Sequence, residues 1–141
     1  MKILIPVDGS DSAKRAVDQV IATAILLKDA PRVLLLNVQW NIASGNVKLF
    51  INHETINDYY REQGMAALAP ARKKLDDAGL DYTYHISVGT PAEAIVQYAQ
   101  EQQVDQITMG AQGQNALSVL LLGSVVSKVL HLASVPVLIV K

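Results

Sequence analysis

Along the chain, short continuous runs of apolar residues alternate with longer stretches in which apolar positions return every three or four residues. Ile3-Leu4-Ile5-Pro6-Val7 is closed by Asp8-Gly9-Ser10, the pattern of a strand buried on both faces. Ala13, Ala16, Val17, Val20, Ile21, Ala24 and Ile25 then mark the buried stripe of a helix, with Ser10 or Asp11 as its cap and Asp29-Ala30-Pro31 as its stop. Val33 to Val38 predicts a second buried strand, and the stretch from Trp40 to about Asn57 has no clear period. A helical pattern resumes from about Thr55 to Ala78, with Thr55 and Asp58 at capping-box spacing and Gly79 as a C-terminal stop. Pro70 inside it predicts a kink or two shorter helices, because proline donates no hydrogen bond and its ring clashes with the preceding turn. Tyr82 to Val88 alternates as a third strand. Thr90-Pro91-Ala92-Glu93 then combines an N-cap, a proline at the first helical position and a reciprocal glutamate at the third, ahead of an inner face of Ala92, Ile95, Val96 and Ala99. Gln106 to Met109 is a fourth strand. Gly123-Ser124 opens a last helix with Val125, Val126, Val129, Leu130 and Ala133 inward, and Val137 to Val140 is a fifth strand.

Strands that alternate with helices pair in parallel through right-handed crossovers, which predicts a three-layer α/β/α sandwich with a five-stranded, mostly parallel sheet. In such sheets ligands sit beyond the carboxyl ends of the strands, where strand order reverses. The places to search are therefore Asp8-Gly9-Ser10, Asn37 to Asn41, Gly89-Thr90 and Gly110 to Ser124. With 141 residues, half of them hydrophobic, the chain is read as a single domain over residues 1–141. Its 12 basic and 13 acidic side chains leave a net charge of -1, too little field to steer it onto nucleic acid or an anionic membrane. The absence of cysteine excludes disulfides and thiol chemistry. No apolar run approaches the roughly 20 residues of a membrane span, and the chain start turns polar too early for a secretory signal. A cytoplasmic protein that binds neither nucleic acid nor membrane is expected.

The most informative chemistry lies in Gly110-Ala111-Gln112-Gly113, nine further residues, and Gly123-Ser124. Glycines where a strand ends let the backbone turn tightly and approach a ligand. The helix start supplies free amides and a positive dipole end for an anion, with the Ser124 hydroxyl as a cap or as a donor to a phosphate oxygen. The alternative is that Gly110 and Gly113 are turn residues and Ser124 a cap. No P-loop string and no dinucleotide fingerprint is present. His53, His85 and His131 lack partners at metal-ligand spacing, and His131 suits a helix C-terminus by charge alone. Lys73-Lys74 and Asp76-Asp77 read as a solvated helix face, and no serine sits in a nucleophile elbow.

The opening Ile3-Leu4-Ile5-Pro6-Val7-Asp8-Gly9-Ser10, the Gly89-Thr90-Pro91 turn, Met109-Gly110 and Gly113 followed after nine residues by Gly123-Ser124-Val125, and the terminal Val135-Pro136-Val137-Leu138-Ile139-Val140 closely resemble the universal stress protein family, UspA-type, in its ATP-binding branch. The resemblance covers the whole chain. It implies the adenine-nucleotide alpha hydrolase-like sheet order 3-2-1-4-5 and ATP, AMP or ADP as ligand, with magnesium if the triphosphate is bound. It places Pro6, Val7 and Asp8 at the adenosine end, Val38 at the adenine, and Met109, Gly110, Gly113, Gly123, Ser124 and Val125 around the ribose and phosphates. From the residues alone, Asp8 reads equally as the cap of the Gly9-Ser10 turn, and Val38 as core. The chain departs from the family at Gln114-Asn115-Ala116, where many members carry a small hydroxyl residue, and at Val119, where a basic residue is frequent. Both departures imply a weakened triphosphate grip.

Val47, Leu49, Phe50 and Ile51 form an apolar cluster in the longest connection, suited to a lid, a surface for an unknown protein partner, or docking on the domain's own helix. The terminal strand Val137 to Val140 would leave an apolar edge that a second copy can cover, and the family resemblance likewise implies a homodimer. The function expected is a nucleotide-dependent regulator in the stress response. The alternatives are a slow ATP hydrolase and a nucleotide-free dimer acting through protein contacts. Efficient phosphoryl transfer is disfavoured, because no charged residue lies between Gln106 and Ser127.

Overall fold

A computed structural model of the chain describes residues 1–42, 52–114 and 121–141. The apolar runs become β1 (Lys2–Pro6), β2 (Arg32–Gln39), β3 (Tyr82–Val88), β4 (Gln106–Gly110) and β5 (Val137–Val140). The amphipathic stretches become α1 (Asp11–Ala24), α2 (His53–Asp77), α3 (Pro91–Glu101) and α4 (Ser124–Leu132). Every strand pair is parallel, and the sheet order is β3-β2-β1-β4-β5. The expected sandwich and strand order are therefore observed, with a sheet parallel throughout.

The two-residue side-chain period of the central strands sorts the core into two layers. Ile3, Ile5 and Val7 of the first strand segment and Val33 and Leu35 of β2 pack with Ala16, Val17 and Val20 of α1 and Leu68, Ala71 and Leu75 of α2. Leu4, Leu34, Leu36, Ile107 and Met109 pack on the opposite face with Ile95 and Val96 of α3 and Val126 and Val129 of α4. Because both faces are covered, the strands read as continuous apolar runs rather than as alternation. Strand order reverses between β1 and β4, whose carboxyl ends part and leave a crevice at that end of the sheet.

Several local expectations are corrected. α2 is one continuous helix through Pro70, not two. Leu68, Ala71 and Leu75 on either side of the proline are all buried, so packing onto the sheet holds both halves. Ala66, whose carbonyl loses its partner at Pro70, is exposed and can be solvated. Its N-cap is Asn52, whose side chain accepts from the Thr55 amide at 2.8 Å, rather than Thr55 itself. α1 stops at Ala24, so Ile25 is not part of the buried stripe but 81% exposed. Leu130 likewise faces outward on α4. Ser10 does cap α1, accepting from Ala13. Thr90 is the N-cap of α3 but makes no side-chain capping bond, and Glu93 accepts from Lys128 of α4 instead. The apolar cluster Val47, Leu49, Phe50 and Ile51 lies outside the described residues.

Candidate functional site

A cleft of about 470 Å3 opens beyond the carboxyl ends of β1, β2 and β4, within the range of about 300–1,000 Å3 usual for small-molecule sites. Four separate parts of the chain meet there. Pro6, Val7 and Asp8 enter from the end of β1, Val38 from β2, and Met109, Gly110 and Gly113 from the end of β4; Gly123, Ser124 and Val125 close the cleft from the start of α4. All ten residues singled out in the sequence thus border one cavity.

Asp8 is held on three atoms. The Ser10 amide donates to Oδ1 at 2.9 Å, the Gln114 amide donates to Oδ2 at 3.2 Å, and Gln114 Nε2 donates to the Asp8 carbonyl. The first bond is the turn-capping role that the residue type alone suggested, and Gly9 serves that turn with φ of +83°. The other two tie the end of β1 to the loop after β4. Asn37, 2% exposed, makes a matching tie on the other side. Its Nδ2 donates to the Val7 carbonyl at 2.8 Å, and its Oδ1 accepts from Gln39 Nε2 at 2.7 Å. The strand ends at the crevice are therefore cross-linked by side-chain amides.

The three glycines of the loop differ in purpose. A Cβ on Gly110 would lie 2.3 Å from Ser12 Oγ and 2.5 Å from the Ser12 carbonyl carbon and oxygen. Gly110 is therefore needed for α1 to approach β4, a packing reason rather than the ligand approach expected from its place in the motif. At Gly113 the nearest atom is Asp8 Oδ2 at 3.1 Å, and at Gly123 only ordinary contacts occur, the nearest being the Gln112 Cα at 3.4 Å. These two leave backbone facing the cleft.

Gly123 is the N-cap of α4 and has no side chain to cap it. Ser124 is the first helical residue, so the capping role offered for its hydroxyl falls away. The first intrahelical bond runs from the Ser127 amide to the Gly123 carbonyl at 3.0 Å. The amides of Ser124, Val125 and Val126 precede it and carry the positive end of the helix dipole at the cleft wall. The Gly123 amide donates to the Ala111 carbonyl at 2.9 Å, and the Ala111 amide to the Val140 carbonyl at 2.8 Å, which moors this helix start to β4 and β5.

The strand pattern pointed to the Asn37 to Asn41 segment but not to individual roles for Asn37, Gln39 and Trp40, which border the cleft with Gln112, Gln114, Pro91 and Ile95. One signal was available: Asn37 interrupts an otherwise apolar strand. Among the described residues that line the cleft, Asp8 is the sole charged side chain. Asn115, Ala116 and Val119, where the chain departs from the family pattern, lie outside the described residues.

An open parallel sheet with a glycine-bordered cleft at its switch point and a helix N-terminus at the cleft wall defines an α/β protein of the doubly wound class with a candidate ligand site. The comparisons with known proteins are specific. The sequence profile of the Universal stress protein family matches residues 1–141, and the chain belongs to that family. Universal stress protein MJ0531 of Methanocaldococcus jannaschii is 34% identical over 140 residues, covering 99% of this chain and 81% of that protein. The solved structure of MJ0577 from the same organism superposes with a TM-score of 0.83 at 34% identity, covering 99% of this chain and 94% of that one. A universal stress protein solved in complex with cAMP superposes with a TM-score of 0.65 at 26% identity, covering 100% of this chain and 96% of that one.

Proposed function

We propose that this chain binds an adenine nucleotide in the cleft and acts as a nucleotide-dependent regulator in the cytoplasmic stress response. The observation that carries the reading is convergence: residues from β1, β2, the β4 loop and the start of α4 border one cavity at the switch point. The relative solved with cAMP supports the ligand class. In this reading Val38, Pro6 and Val7 contact the base and sugar, and Gly113, Gly123 and the first-turn amides of α4 receive phosphate. ATP, ADP and AMP are the ligands to compare. Binding shifts the population toward one conformation, which a protein partner then recognises. The chain works as a homodimer, with the edge strand β5 of one copy meeting that of another.

Trp40 is the single tryptophan of the chain and borders the cleft, so its fluorescence reports occupancy. Titration with AMP, ADP and ATP is expected to change Trp40 emission with saturation at micromolar nucleotide, and Gly123→Leu is expected to abolish the change while the circular dichroism spectrum stays that of the parent. No change in emission and no heat by calorimetry up to millimolar nucleotide would refute the reading. Phosphate release in magnesium is expected to stay near background, which separates a regulator from a hydrolase.

A further inference from the structure

The two ends of the cleft differ in chemistry. At one end α4 opens with the amides of Ser124 and Val125, and the Gly123 amide moors this helix start to the carbonyl of Ala111, directly after β4. At the other end stand Leu36 and Val38 of β2 and Ile95 of α3, which belong to one apolar layer, and Trp40, which follows β2. Because β1 lies between β2 and β4, the two ends are two strand spacings apart, about 10 Å. A nucleotide whose phosphate meets the α4 amides therefore extends its base across β1 toward β2. Among the described residues that line the cleft, Trp40 is the sole aromatic side chain. It is 63% exposed, and among the described residues no other ring or cation stacks on it.

We infer that Trp40 supplies the flat surface on which the base stacks, so that the cleft holds its ligand at two points, a phosphate at the start of α4 and an aromatic ring at Trp40. The inference rests on the proposed nucleotide binding and adds to it the residue that grips the base. Stacking takes one face of the indole and one face of the base out of water and sets two extended π-systems against each other. An apolar side chain without a ring provides the first of these effects in part and the second not at all.

The test is calorimetric titration of the full chain with AMP, for the parent and for Trp40→Phe, Trp40→Leu and Trp40→Ala. Trp40→Ala is expected to raise the AMP Kd by about tenfold, the usual range for removing a stacking ring. Trp40→Leu, which keeps apolar area without a ring, is expected to lose nearly as much, and Trp40→Phe to stay within about threefold of the parent. Urea midpoints of all three variants are expected to match the parent's, because the side chain is largely in water. An AMP Kd unmoved in Trp40→Ala, or raised equally in Trp40→Phe and Trp40→Ala, overturns the stacking role while leaving nucleotide binding intact. Full affinity in Trp40→Leu overturns it as well, since the ring is then not what the base needs. Absence of AMP, ADP and ATP binding by the parent removes the functional reading and this inference together.

Discussion

At the scale of single residues, the loop glycines divide by what their missing side chains avoid. Gly110 faces the backbone of Ser12 and Gly123 faces ordinary contacts, so one belongs to the fold and the other to the cleft. Gly110→Ala is expected to lower stability by about 1–3 kcal/mol, because helix and strand must move apart to admit the methyl group. Gly123→Ala, with φ of -63° and room for a Cβ, is expected to stay within about 0.5 kcal/mol of the parent. Urea unfolding of both variants checks the contrast, and equal losses would refute the division. This distinction was not legible in the sequence, where both glycines belong to one spaced motif. It depends on which neighbour a distant part of the chain, α1, brings against each. Asp8 shows the same dependence in reverse: its turn-capping bond to Ser10 is local and was anticipated, whereas its bonds to Gln114 span 106 positions.

At the scale of elements, two tests follow from how helices are capped and crossed. α2 keeps its course through Pro70 because buried residues on both sides pack on the sheet, not because proline is favourable there. Pro70→Ala is expected to raise stability by about 2 kcal/mol, the restored hydrogen bond to Ala66 outweighing the greater freedom of the unfolded chain. A thermal melt unchanged or lowered would show that the proline is needed in place. Between α3 and α4, the Lys128 ammonium donates to Glu93, and this bond, then one from the residue's own amide, holds the Glu93 carboxyl below its ordinary value. A carboxyl lowered in the folded state contributes stability at pH above its unfolded value and loses it as pH falls through the folded one. Glu93→Gln is therefore expected to be slightly less stable than the parent at neutral pH and to converge with it in acid. The difference should be small, since both side chains are about half exposed. Denaturant midpoints at pH 7 and pH 3 check it, and a gap that widened in acid would contradict the pair.

At the scale of the whole molecule, β5 pairs only with β4 among the described residues and forms one edge of the sheet, with Leu138 41% exposed on it. Leu138→Lys is expected to shift the proposed dimer toward monomer in sedimentation equilibrium without lowering the helix signal; a parent that sediments as monomer would remove the dimer from the functional reading. The order of strands and helices was legible because burial on both faces writes continuous apolar runs, and helices on a sheet write stripes at three-and-four spacing. Those signals are local, and they determined by themselves the element sequence, the layered class and the ends of the sheet where a ligand belongs. The family motif marked ten residues, and the fold brings all ten to one cleft. Tertiary structure alone decided that Gly110 serves helix packing and that Asn37 and Gln114 tie the strand ends together. Each of these is a contact between residues tens of positions apart, and its chemistry exists only after the crossovers have placed β1 between β2 and β4.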